Sequence, residues 1–343
     1  GQPRGGSSPL LGTIGLSISY VLFHGKSMST SVLNAPACFH HPVKVIFLDD
    51  NQAFLDMLSL EFGHHRNMLM LTDPDDALHL INQNNSFFSE SQILKNNLQN
   101  NLLDIIYNKS RYNNVAVLVI DYEMPTINGI DFCEKLTDKT IFKILLTAEA
   151  DKDIAIRAFN NGTIDKYILK TNDNLYAEVL ESIDDLTNRY FHELSKVPLR
   201  VSGDILKTLV NQERYKEIFH EVKSHSNAVE HYLIDRSGSF LFLTKNAQPT
   251  WLFISNQQKA EEDGDLLLGY GFPSDLIKQI RQQTKILFLL SDSEYKEPST
   301  QWNKYIFNAE KLDDNHSYSI VSGPVMSSIH WDTVASYEEN HLL

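Results

Sequence analysis

The sequence predicts an α/β protein with a doubly wound, five-stranded parallel sheet, followed by an α+β domain with an antiparallel sheet. Two observations predict this. From Val43 to about Leu194, short apolar runs rich in β-forming residues alternate with segments of helical periodicity, which is the order of a parallel sheet covered by helices on both faces. After about Pro198, three β-rich runs follow one another across short turns, which is typical of an antiparallel meander.

Five strands and five helices are predicted in the first half of the chain. The strands are residues 43–48, 67–71, 115–120, 141–146 and 164–169. The helices between and after them are residues 51–62, 74–82, 130–136, 151–160 and 172–194. The last helix is amphipathic, with apolar residues three and four apart. This alternation indicates a flavodoxin-like sheet.

The first half also contains an insertion. Asp121 lies 71 residues after Asp50, where two helices, two strands and short loops need only roughly 50. The inserted stretch, residues 83–114, is rich in Asn, Ser and Gln but has apolar residues at helical spacing. These are Leu94, Leu98, Leu102, Ile105 and Ile106. We expect an additional amphipathic helix that docks on its parent domain rather than on a second copy.

The second half is predicted to begin with strands at 229–235, 239–245 and 250–256. Helices at 258–267 and 274–283 follow, and then a hairpin of strands 285–290 and 317–322. This order loosely resembles a PAS-type sensory or dimerisation domain. The predicted organisation is a flexible leader over residues 1–41, an α/β domain over 42–195 and an α+β domain over 196–343.

Composition excludes some classes of function. The 343 residues carry a net charge of −14, and residues 201–343 alone hold 13 basic against 20 acidic residues, so direct nucleic-acid binding is not expected. Only two cysteines are present, which favours a reducing compartment, and we expect a cytoplasmic location. The apolar run 9–23 is shorter than the roughly 20 residues of a membrane span, so no membrane association is expected.

Polar residues stand at the ends of four predicted strands. Asp49 and Asp50 close the first strand, Asp121 the third, Thr147 the fourth and Lys170 the fifth. Since the carboxyl ends of parallel strands meet at one edge of a sheet, these side chains converge in a crevice. Three close carboxylates repel one another unless a cation neutralises them, and oxygen ligands suit Mg²⁺. The sequence therefore predicts a site for phosphate and magnesium.

These four segments resemble the receiver domain of two-component response regulators, over about residues 42–195. The resemblance implies that Asp121 accepts a phosphoryl group, Thr147 is the switch hydroxyl, Tyr167 the switch aromatic and Lys170 the phosphate-binding residue. It also implies a set of Mg²⁺ ligands: Asp49, Asp50, Asp121 and the backbone carbonyl of Glu123. One departure is Thr171, which stands after Lys170 where the family usually has proline, often with a cis peptide bond.

The resemblance implies a response regulator that is phosphorylated by a sensor histidine kinase or a histidine phosphotransfer protein. Such a protein is not an enzyme, except that it can catalyse its own phosphorylation and dephosphorylation. Phosphorylation would control homodimerisation or the contacts of the second domain. The order of the whole chain resembles a quorum-sensing response regulator.

Asn128 and Gly129 are expected to supply flexible φ angles before the next helix.

Two alternatives stay open. One is a phosphohydrolase with an aspartate nucleophile, which requires a second aspartate two residues later, where this chain has Glu123. The other is a phosphorylation-independent scaffold whose PAS-like domain binds a ligand.

Overall fold

The computed structural model describes residues 34–62, 67–84, 98–148 and 151–340. Within these ranges no helix combines the length and the apolar character that crossing a membrane requires.

The strands and helices alternate in the first half and are mixed in the second. In chain order the strands are β1 (Phe39–His40), β2 (Lys44–Leu48), β3 (Met68–Leu71), β4 (Val115–Asp121), β5 (Phe142–Thr147), β6 (Lys166–Leu169), β7 (Glu230–Leu233), β8 (Phe240–Leu243), β9 (Pro249–Asn256), β10 (Lys285–Leu287), β11 (Ile306–Asn308), β12 (Glu310–Lys311) and β13 (His316–Ser322). The α-helices are α1 (Gln52–Phe62), α2 (Pro74–Asn84), α3 (Leu98–Tyr107), α4 (Gly129–Lys135), α5 (Lys152–Asn160), α6 (Leu175–Ser202), α7 (Asp204–Val210), α8 (Glu213–His225), α9 (Gln257–Gly269), α10 (Ser274–Arg281), α11 (Asp292–Lys296) and α12 (Tyr337–Asn340).

The predicted parallel sheet is confirmed, with strand order β3-β2-β4-β5-β6 and parallel pairing throughout. Successive strand residues face opposite layers, so the side chains of β2 and β4 divide between two cores. Helices α1 and α6 cover one face, and α2, α4 and α5 cover the other. The chain order reverses between β2 and β4, which places a crevice at their carboxyl ends.

Helix α6 runs through the predicted domain boundary between residues 195 and 196. It continues to Ser202 with Pro198 inside it. Ser195, three residues before this proline, accepts a hydrogen bond from the backbone N–H of Cys38 at 2.8 Å. The boundary is therefore a continuous helix rather than a linker.

The inserted segment forms α3 and a 3₁₀ helix over Lys109–Asn113, which confirms the expected helix. Leu94, also placed on it by the pattern, lies outside the described residues. The helix docks within its own chain, and its contacts reach beyond the parent domain: α3 packs against β7 of the C-terminal sheet, and the Ile106 carbonyl accepts a hydrogen bond from the Ala335 N–H at 3.0 Å. The periodicity showed an apolar face but not its partner.

The C-terminal sheet has the order β1-β7-β8-β9-β13-β12 and is antiparallel. The predicted meander β7-β8-β9 is confirmed. Residues 34–41, predicted as part of the leader, are instead built into the fold, because β1 pairs with β7 through Phe39↔Tyr232 and His40↔His231. A two-residue strand has too little pattern to be recognised in sequence.

The predicted hairpin of residues 285–290 and 317–322 is wrong. Strand β10 pairs with β11 in a separate two-stranded sheet, and β13 returns to pair with β9 over seven residues. Between β10 and β11, helix α11 and a 3₁₀ helix at Ser299–Tyr305 bring the chain back. Apolar alternation identified both strands but carries no information about which strand each one pairs with.

Candidate functional site

The predicted polar residues lie together at the carboxyl edge of the parallel sheet. Asp49 follows β2 directly, Asp121 is the last residue of β4, and Lys170 follows β6. Asp49 and Asp121 are 2% and 7% exposed, whereas Asp50 is exposed. One carboxylate of the acidic pair is therefore buried in the crevice and the other faces solvent.

Lys170 joins the two buried carboxylates. Its Nζ lies 2.8 Å from Asp49 Oδ2 and 2.9 Å from Asp121 Oδ1. Burial disfavours the charged ammonium, but the hydrogen bonds to Asp49 and Asp121 outweigh it and raise the pKa of Lys170. Lys170 is thus held as a cation beside the carboxylate of Asp121.

The surroundings of Asp121 disfavour the charged form of its carboxyl group. Burial raises its pKa, the charge of Asp49 adds to the rise, and the hydrogen bond from Lys170 opposes it. Asp49 is held in place from its other side, because its Oδ1 accepts the N–H of Asn51 at 2.9 Å. Lys170 therefore offsets only part of the cost of burying the negative charge of Asp121, and a further cation beside this carboxylate would be favourable.

The donor set fits Mg²⁺. One oxygen from each of Asp49, Asp50 and Asp121 lies within 4.8 Å of the others, and all three are carboxylate oxygens. Mg²⁺ binds oxygen ligands and keeps several waters, which the exposed side of Asp50 permits. A single ammonium against three carboxylates leaves this cluster negatively charged. These residues can therefore hold a hard divalent cation.

The loop after β4 is tightly packed. A Cβ on Gly129 would lie 2.2 Å from the Asp121 carbonyl oxygen, and its N–H donates to the Tyr122 carbonyl at 2.9 Å. Gly129 does not have a positive φ, so the expected flexible φ is wrong at this residue, and the glycine is needed for close approach. Asn128 instead caps α4, since its side chain accepts the Asp131 N–H. Glu123 lies exposed in the same loop.

Thr147 and Tyr167 lie on the neighbouring strands β5 and β6. Thr147 is fully buried, and its Oγ1 donates to the Ala148 carbonyl at 3.3 Å. Its own carbonyl accepts the Lys170 N–H at 2.9 Å, which links β5 to the acidic cluster. Tyr167 is half-buried, with its ring edge-to-face against Phe159 at 6.4 Å between centroids. Phe159 itself is half-exposed.

Phe54 also belongs to the site, although it shares an apolar stripe of α1 with Leu55, Leu58 and Phe62. Its ring centroid lies 4.8 Å from Lys170 Nζ, a cation–π contact. The available signal was its position, one helical turn beyond the acidic pair. Thr171 does not disturb the site, because Lys170 reaches both carboxylates and the described residues contain no cis peptide bond.

Comparison with known proteins identifies the first domain. Residues 75–180 match the family model of the response regulator receiver domain. This range includes Asp121, Thr147, Tyr167 and Lys170, and the acidic pair precedes it. A search of curated proteins finds no match.

Solved structures extend the likeness beyond this domain. The structure of the Legionella pneumophila response regulator LqsR is 29% identical, covers 90% of this chain and 96% of its own, and superposes with a TM-score of 0.71. The Francisella response regulator 1452 receiver domain is 23% identical and covers 43% of this chain and 98% of its own, with a TM-score of 0.30. A receiver domain protein of Methanospirillum hungatei is 19% identical and covers 44% of this chain and 98% of its own, with a TM-score of 0.30.

Proposed function

We propose that this chain, which contains a two-component response regulator receiver domain over residues 75–180, accepts a phosphoryl group on Asp121. The donor is a sensor histidine kinase or a histidine phosphotransfer protein. The observation that carries the proposal is the Asp121 carboxylate, buried at the end of β4, ion-paired to Lys170 and clustered with Asp49 and Asp50. This arrangement resembles a phosphoryl-acceptor site.

Asp49, Asp50, Asp121 and the backbone carbonyl of Glu123 would hold Mg²⁺ in this proposal. The ion would supply positive charge to neutralise the carboxylates and the phosphoryl oxygens. Asp121 attacks phosphorus through one carboxylate oxygen, and the P–N bond of the donor phosphohistidine breaks as the new P–O bond forms. Lys170 stabilises the charge on the transferred oxygens, because its ammonium already lies 2.9 Å from Asp121 Oδ1.

Thr147 and Tyr167 carry the conformational response in this proposal. A hydrogen bond from the Thr147 hydroxyl to the phosphoryl group replaces its bond to the Ala148 carbonyl. The space that Thr147 vacates accepts the ring of Tyr167, which then leaves Phe159. The surface formed by α5, β6 and α6 changes as a result, and this surface controls homodimerisation or contacts of the C-terminal domain.

The pathway proposed for this chain is bacterial quorum-sensing signalling in the cytoplasm, through protein contacts rather than direct DNA binding. The likeness to the response regulator LqsR over both halves of the chain supports a role in signalling, and the net charge of −14 supports protein contacts rather than DNA binding. Dimerisation is tested by light scattering with beryllofluoride and Mg²⁺. A doubled mass for the wild type and an unchanged mass for Asp121→Asn are expected, whereas an unchanged wild-type mass contradicts this part of the proposal.

Phosphotransfer from a candidate histidine kinase tests the site itself. Labelled phosphoryl groups should pass to the wild type and not to Asp121→Asn. Asp185→Asn is the matched control, since Asp185 is an exposed carboxylate on α6 of the same domain, and it should be labelled like the wild type. Steady release of phosphate from simple phosphate esters would instead support the phosphohydrolase alternative.

A further inference from the structure

We propose that Phe54 is a positioning residue for phosphoryl transfer, because its ring holds the Lys170 ammonium beside Asp121. The inference rests on the proposed function of Asp121. It assigns a role in the reaction to an aromatic residue that the apolar pattern of α1 places in the core.

The backbone fixes Phe54 relative to the acidic pair. The N–H of Asn51 donates to Asp49 Oδ1 at 2.9 Å, and the N–H of Phe54 donates to the Asn51 carbonyl at 3.0 Å and to its side-chain oxygen at 3.2 Å. These bonds form the first turn of α1. They fix the backbone of Phe54 close to Asp49, and the ring lies over the Lys170 ammonium that Asp49 also contacts.

The ring makes a different kind of contact with Lys170 from that of the carboxylates. Lys170 Nζ lies 2.8 Å from Asp49 Oδ2, 2.9 Å from Asp121 Oδ1 and 4.8 Å from the Phe54 centroid. A carboxylate that serves a metal ion has less charge to share with the ammonium. The neutral ring cannot bind Mg²⁺, so its attraction for the ammonium persists when the carboxylates gain another partner.

Lys170 needs such a contact because its chain is flexible and it leaves the end of a strand. Its side chain is 26% exposed, so solvent competes for the ammonium. A lysine that swings into solvent would leave the transferred oxygens without their cation. The aromatic face restricts that movement and covers one side of the ammonium.

If Phe54 served only to pack the core, its substitutions would have different effects. Phe54 is half-buried against the core that α1 shares with the sheet, and leucine would fill most of that space. Leucine has no aromatic face, whereas tyrosine keeps both face and size. The pair Phe54→Leu and Phe54→Tyr therefore separates cation positioning from core packing.

The test measures the rate of phosphorylation by acetyl phosphate as a function of acetyl phosphate and Mg²⁺ concentration. Phe54→Leu should lower the maximal rate by about 5- to 30-fold, the effect of losing a partly desolvated cation–π contact, with half-saturating Mg²⁺ unchanged. Phe54→Tyr should restore the rate to within about twofold of wild type. Phe54→Met provides a second face-free variant if Phe54→Leu fails to fold.

Phe62→Leu is the matched control. Phe62 lies on the same helix and its ring contacts Phe47 and Tyr176, so its loss affects packing in α1. It should lower stability and leave the phosphorylation rate near that of wild type. A wild-type rate in Phe54→Leu, or an equal loss in Phe54→Leu and Phe54→Tyr, overturns the inference. A wild type that is not phosphorylated at all overturns the proposed function instead.

Discussion

Strand β4 has an ion-paired cluster at each end, and the two clusters differ in kind. Arg111 stands four residues before the strand and pairs with Glu230 of β7 in the C-terminal sheet, with Nε 2.9 Å from Oε2 and both side chains 0% exposed. Asp121 closes the strand and pairs with Lys170 at the crevice. The first cluster joins two halves of the molecule, and the second opens toward solvent.

The Arg111 cluster is balanced and hydrogen-bonded on all sides. Arg111 also donates to the carbonyls of Ile105, Ile106, Asn108 and Ala335, and the Tyr112 hydroxyl donates to Glu230 Oε1. A buried charge pair persists when its remaining hydrogen-bonding groups are satisfied in this way. It has no surplus charge to attract a ligand.

The acidic cluster lacks this balance. Three carboxylates face one ammonium, Asp50 is exposed, and burial raises the pKa of Asp121. Burial of charge alone does not distinguish a binding site from a structural contact. Surplus charge with access to solvent indicates the binding site, whereas charge balance with full hydrogen bonding indicates the structural one.

The largest effect is expected from breaking the structural pair. Glu230→Ala leaves Arg111 buried without its counterion and should lower the free energy of unfolding by about 3–5 kcal/mol. Urea denaturation measures this loss. Glu193→Ala, which breaks an exposed pair with Lys196, is the control and should change it by less than about 1 kcal/mol. Equal losses in both variants would remove the distinction between the two regions.

Mg²⁺ should stabilise the acidic cluster by a smaller amount. At a Mg²⁺ concentration a hundredfold above its dissociation constant, linkage predicts about 2.7 kcal/mol of added stability in the wild type. Asp50→Asn removes one carboxylate, so the variant should be more stable than wild type without Mg²⁺ and gain little when Mg²⁺ is added. Thermal unfolding with and without Mg²⁺ checks both effects, and an equal gain in the two proteins would exclude Asp50 as a ligand.

Acidification should lower the stability of the protein through His41, which lies near Arg111. Burial, together with a smaller contribution from the nearby charge of Arg111, lowers the pKa of His41 to about 3, so the folded protein keeps this imidazole neutral. Below the pKa of the unfolded state, near 6.5, the unfolded chain binds a proton that the folded chain does not. Stability is therefore full at pH 7 and falls toward pH 5, by on the order of 1–2 kcal/mol for this group.

His41→Gln provides the control for the acid effect. The variant should show a smaller loss of stability between pH 7 and pH 5 than the wild type, measured by urea denaturation at each pH. Identical losses in the two proteins would assign the acid sensitivity to other groups.

The sequence predicted the acidic cluster well because its geometry follows from topology. Once β2, β4, β5 and β6 are parallel neighbours, the residues at their carboxyl ends must meet. The Arg111–Glu230 pair could not be predicted in this way, because its partners are 119 positions apart, one in the 3₁₀ helix before β4 and the other on β7. The docking of α3, the short strand β1 and the pairing of β10 with β11 depend on the same kind of long-range contact.

Two features of the acidic cluster also escaped sequence reasoning. Phe54 fits the apolar stripe of α1 equally well whether it lies in the core or on Lys170, so its spacing cannot separate the two roles. Gly129 was assigned a flexible backbone, whereas the structure shows that its role is to leave room for the Asp121 carbonyl. Both depend on the distance between elements, which a residue pattern does not contain.

The most direct test of the central claim is to locate the phosphoryl group on the chain. The protein is incubated with acetyl phosphate and Mg²⁺, the acyl phosphate is reduced with borohydride, and the modified residue is mapped by peptide mass spectrometry. We expect modification at Asp121 that requires Mg²⁺ and is lost in Asp121→Asn. Modification at another carboxylate, or persistence of the label in Asp121→Asn, would contradict it.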